Sequence, residues 1–149
     1  MTKGPRAMFK TLFNLFNRST LLPHDQLCLD SWRASLSAAA REILDKQLAV
    51  IRLIQRQAGG AKVCFYYRDD APCPLLHPDR PDLHAATVVL QKPRGSEAQT
   101  MRVKIYVHRG RFFSLEFPKR PDRYALQHEM TLQELQVARV ETHEVLTPG

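Results

Sequence analysis

Cys73, His77 and His84 share one proline-rich stretch with Asp69, Asp70, Asp79 and Asp82, and thiolate, imidazole and carboxylate are all zinc ligands. The CxxxH step with six further residues before the next histidine is not the tight spacing of a zinc module, so the stretch reads as a polar loop. No metal site and no cofactor is assigned. His128-Glu129 and His143-Glu144 each lack the second histidine of an HExxH turn, and the chain carries no GxxxxGK, GxGxxG or GxSxG segment. Cys64 lies close to Tyr66 and Tyr67 in an alternating segment, where a cysteine reads as a small packed apolar group rather than a nucleophile. The reading leans away from an enzyme. A small enzyme with its site in the loop 68–84 is kept as an alternative.

Residue types suited to binding are concentrated in Met101 to Phe117. Apolar Met101, Val103, Ile105 and Val107 alternate with Arg102, Lys104, Tyr106 and His108, the period-2 signature of a strand with one buried face. A return strand follows. With Arg109-Gly110 alone as the turn, Ile105 would face Ser114 and Val103 would face Glu116, mixing the faces. A three-residue His108-Arg109-Gly110 loop with Gly110 at a left-handed bulge position avoids this. It predicts the core pairs Ile105 with Phe113, Val103 with Leu115 and Met101 with Phe117. It also predicts outer pairs of Tyr106 with Phe112 and Arg102 with Glu116. Arg102, Lys104, Tyr106, Arg111 and Phe112 then form a basic-aromatic outer face, the candidate partner-binding surface, since aromatic and arginine side chains dominate many interfaces.

The formal charge of +7 sits where such a surface would use it. Lys3, Arg6, Lys10 and Arg18 meet no acid before Asp25, and in residues 84–123 the only acids are Glu97, Glu116 and Asp122. Nucleic acid, an anionic membrane surface and an acidic protein are all compatible with that distribution. The favoured reading is a small non-catalytic protein-binding, adaptor or accessory module acting through the hairpin face. Neutralisation of a partner, in the manner of an immunity protein, is one version of it. The alternative is single-stranded nucleic-acid binding by stacked rings and cations, although the order of elements is not the βαββαβ of the RNA-recognition unit.

The elements that must position this face follow from the same patterns. A chain of 149 residues buries about two-thirds of its unfolded surface without staples. Cys28, Cys64 and Cys73, an odd number without CxxC spacing, fit a reducing compartment, and the reading is cytoplasmic. No apolar run approaches the ~20 residues of a transmembrane segment. Residues 1–22 read as a basic amphipathic arm with Phe9, Leu12, Phe13 and Phe16 on one helical face, suited to docking on the core, a partner or a membrane surface. Lys10, Asn14 and Asn17 interrupt any export-signal core.

Residues 23–149 read as a single α+β domain. Leu29, Trp32 and Leu36 suggest a short helix after Pro23. A long helix is predicted from Ser37 to Gln57, with Ile43, Leu44, Leu48, Ile51 and Ile54 as its apolar face and Gly59-Gly60 as its stop. Strands are predicted over 62–67 and 85–91, joined by an irregular loop containing Pro72, Pro74, Pro78 and Pro81, and leading into the hairpin. Thr131 to Glu134 reads as a capping box opening one helical turn before an edge strand. The expected architecture is a four- or five-stranded antiparallel meander with the long helix packed on one face.

Overall fold

A computed structural model describes residues 21–68 and 72–148. Residues 1–20 of the amphipathic arm lie outside the described residues. Proline has no N–H to leave unpaired in a first helical turn, and Pro23 opens helix α1 (Pro23–Ser35), where the Asp25 carboxylate accepts the Leu22 N–H at 2.8 Å. Helix α2 (Ala38–Leu48) starts at Ser37, whose hydroxyl accepts the Ala40 N–H at 3.2 Å. Polar side chains clasp the two helices. Arg33 donates twice to Asp45 at 2.7 Å, and Arg41 donates to the Arg33, Ala34 and Leu36 carbonyls around the end of α1, where the Arg33 carbonyl also accepts the Leu36 N–H at 3.2 Å.

The helix expected over 37–57 ends early. After Ala49 and Val50 the chain runs as strand β1 (Ile51–Arg56), which returns through Gly59 and Gly60, both at positive φ, into β2 (Lys62–Tyr67). Ile51 and Ile54 are buried three positions apart because a bulge lies between Ile51 and Leu53 in the pairing with β2. A bulged strand thus reproduces the i, i+3 spacing of a helical face. The β-branched run Val50, Ile51 and Ile54 suits the strand.

Strand β3 (Leu83–Gln91), β4 (Met101–His108), β5 (Arg111–Glu116) and β6 (Gln136–Thr142) complete one antiparallel sheet of six strands in the order β1-β2-β5-β4-β3-β6. It is α+β with an antiparallel sheet, as expected, but not one meander. β2 joins the β3-β4-β5 meander beside β5, so the proline loop must cross the end of the β4-β5 hairpin. It is held there by Leu76 N–H to the Gly110 carbonyl and Gly110 N–H to the Pro81 carbonyl, both 2.8 Å. The expected turn at Leu132–Glu134 and the edge strand β6 are present. A helix not anticipated, α3 (Pro121–Gln127), buries Tyr124.

The hairpin register differs from the expected one. The turn is the two-residue Arg109-Gly110, with φ of 52° and 75°, the left-handed pair of a type I′ turn. Val107 pairs with Phe112, a bulge follows, and then Tyr106 pairs with Ser114, Ile105 with Leu115 and Lys104 with Glu116. The predicted pairs Ile105–Phe113, Val103–Leu115, Tyr106–Phe112 and Arg102–Glu116 therefore do not form. The bulge absorbs Phe113 and restores a uniformly apolar core face. Phe112 is fully buried there, 5.4 Å from the Trp32 ring and 4.5 Å from Phe65. The core gathers Leu29, Trp32 and Leu44 of the helices with Ile54, Phe65, Val88, Val103, Ile105 and Leu115 of the sheet.

Candidate functional site

Alternation sends the other set of side chains to the opposite, outer face. Lys62, Cys64 and Tyr66 of β2, Phe113, Ser114 and Glu116 of β5, Arg102, Lys104 and Tyr106 of β4, and His84 and Thr87 of β3 lie there. Rings form a row across it. Tyr66 meets Phe113 edge-on (5.7 Å, 89°), and Phe113 meets His108 at 5.4 Å and 53°. Tyr106 stacks on His84 at 4.9 Å, and His84 lies 4.3 Å from His143, just beyond β6. A groove of about 400 Å³ runs between these rings, with Lys62, Asp82 and Glu116 as its charged lining. Among the described residues, none from a helix lines it.

At one end of the row, Thr87 Oγ1 lies 2.7 Å from His143 Nε2 and 3.3 Å from His84 Nε2. A hydroxyl carries one proton, so one imidazole accepts it while the other donates. Burial, with His143 and Lys104 adding to it, holds His84 below the ordinary histidine value. Further along, Arg102 pairs with Glu141, which also accepts from Arg139 at 2.9 Å, and Arg139 reaches Glu97 at 2.7 Å. Hydrogen bonds from Arg102 and Arg139 pull the Glu141 carboxyl down to about 2. Val89, flanked by its cross-strand neighbours Arg102 and Arg139, is fully buried beneath their stems.

At the other end a second cavity of about 390 Å³ opens beside the hairpin turn, lined by Arg52, Tyr66, Tyr67, His108, Arg109, Arg111 and Phe113, with Phe65 at its base. The Arg111 guanidinium lies over the Tyr67 ring at 5.7 Å, and the Tyr67 hydroxyl donates to the Phe112 carbonyl. Arg111 also borders the Cys73 thiol, which burial pushes up despite that charge. Burial likewise raises the Cys28 and Cys64 thiols, the reverse of what a nucleophilic cysteine needs.

Of the residues singled out in the sequence, Lys104 and Tyr106 lie on the outer face, and Arg102 lies there engaged with Glu141. Arg111 lines the neighbouring cavity. Phe112 is a correction: the bulge turns it into the core, and Phe113 takes the outer position. Cys73, His77 and His84 are not brought together, since His77 meets Thr147 at 3.3 Å, His84 meets Thr87 and His143, and Cys73 lies beside Arg111. Tyr66, Phe113, Arg52 and Arg109 were not selected from sequence. The alternation of Lys62, Cys64 and Tyr66 carried a signal for Tyr66, whereas Phe113 was hidden by the bulge. No helix among the described residues is long and apolar enough to cross a membrane. Comparison with protein-family models, curated proteins and solved structures found no match for this chain.

Proposed function

We propose that the protein is a non-catalytic binding or adaptor module whose outer sheet face engages an acidic partner protein. The observation that carries this reading is the row of rings on a face whose groove no described helix lines. The Tyr66 and Phe113 rings meet at 89°, so they present apolar edges and sides rather than a set of parallel open faces. Such a surface suits apolar burial against protein side chains, with Lys62, Lys104 and the hairpin arginines supplying charge complementarity. The three free thiols of Cys28, Cys64 and Cys73 support a reducing, cytoplasmic setting.

A second reading, single-stranded nucleic acid, is favoured by one specific feature. Lys62 Nζ stands 5.9 Å from the Phe113 ring centre, the pairing of cation and ring that bases and phosphates exploit. An affinity pull-down at two salt concentrations, with and without nuclease, separates the readings. A protein partner retained after nuclease and weakened by Phe113→Ala supports the first. Loss on nuclease treatment, with micromolar binding of an unstructured oligonucleotide at physiological salt, replaces it with the second.

A further inference from the structure

The cavity beside the Arg109-Gly110 turn brings together three guanidinium-bearing side chains, from Arg52, Arg109 and Arg111, with the rings of Tyr66, Tyr67 and Phe113. Among the described residues none of these arginines forms an ion pair, and no carboxylate lines the cavity. Like charges gathered in one concave site repel, and the acid that offsets them, Asp82 beside His108 and the Arg109 backbone, stands outside the lining. Among the described residues the buried Arg111 Nε finds no acceptor. An unmet donor of that kind in a folded protein asks for an explanation, and an anion in the cavity supplies one.

The site is also built on fixed backbone. Arg109 is held in the left-handed region at φ 52°, its N–H donating to Asp82 at 3.0 Å, and Arg111 is backed by the Tyr67 ring. We infer that this cavity binds a small anion carrying a phosphate on a planar ring, of the nucleoside phosphate class, with the arginines on the phosphate and the aromatic walls against the ring. Arginine forks match phosphate oxygens two at a time, and about 390 Å³ falls within the range of small-molecule sites. The inference does not depend on the partner reading, because it concerns the protein alone with a small ligand.

Calorimetric titration of the full chain with AMP, phenyl phosphate, inorganic phosphate and adenosine tests it. AMP is expected to bind about tenfold tighter than inorganic phosphate or adenosine, since only AMP engages both walls. Phenyl phosphate matching AMP would assign the ring contact to any aryl group, and AMP exceeding it would assign it to the nucleoside. Arg52→Gln, on an edge strand, and Arg109→Asn, which tolerates a positive φ, should each weaken AMP by about tenfold with unchanged melting temperature. Lys119→Gln, beyond the far end of β5, should leave affinity unchanged. AMP no tighter than inorganic phosphate, or affinity indifferent to both arginine substitutions, overturns the assignment.

Discussion

Gln47 of α2 and Phe112 of β5 are joined by a hydrogen bond in which the buried amide oxygen accepts the Phe112 N–H at 3.0 Å. The same amide donates to the Gly110 carbonyl at 3.0 Å and the Pro74 carbonyl at 2.7 Å. One helical side chain therefore ties together the hairpin turn, the first residues of β5 and the proline loop. Gln47→Leu keeps the volume but leaves the Phe112 N–H unpaired inside. The expected cost is on the order of 1–3 kcal/mol in urea unfolding, with faster amide exchange at Phe112. Unchanged stability would mean that the helix does not hold the turn.

The hairpin register yields an unequal pair. Phe112→Ala removes a fully buried ring touching Trp32 and Phe65 and should cost about 3–5 kcal/mol. Phe113→Ala, on the outer face, should cost about 1 kcal/mol or less. Chemical denaturation of both variants decides, and the reverse order would restore the three-residue turn.

Gly110 has two separate reasons to be glycine. Its φ is +75°, and an added Cβ would stand 2.9 Å from Leu75. Gly110→Ala should therefore destabilise by more than about 1 kcal/mol, whereas Arg109→Gly, relieving a positive φ, should be neutral or slightly stabilising. Thermal melts of the two variants check the contrast.

The pairing of Glu141 with Arg102 and Arg139 predicts an acid-sensitive edge. A carboxyl held below its ordinary value of 4.5, at about 2, contributes stability that is complete above 4.5 and is lost as the pH falls through about 2. Glu141→Gln lacks this contribution at every pH. The gap in melting temperature between the native protein and Glu141→Gln should be largest near neutrality and close as the pH approaches 2. It should also shrink with salt, because the pair is exposed. A gap that widens towards acid would show that Glu141 is not the group being titrated.

Local chemistry alone determined several features of this chain. The alternation from Met101 to Val107 marked β4 and its buried face, Ser37 marked the start of α2, and four prolines marked the loop before β3. The Thr131–Glu134 turn preceding an edge strand was legible for the same reason, since each of these depends on neighbours in sequence. What tertiary structure decided was wherever a bulge could intervene. Ile51 and Ile54, like Phe112 and Leu115, are three apart and share a buried face, a spacing that a helix and a bulged strand both produce. Periodicity cannot choose between them. The choice at Phe112 involves a helical side chain 65 positions away that receives its N–H. The outer face was hidden for a related reason. Tyr66, Phe113, Tyr106, His84 and His143 come from separate stretches of chain, and only the insertion of β5 and β4 between β2 and β3 lays them in one row. Strand order is settled by which edges find partners and which loops can cross, a balance struck between distant segments and written in no single one of them.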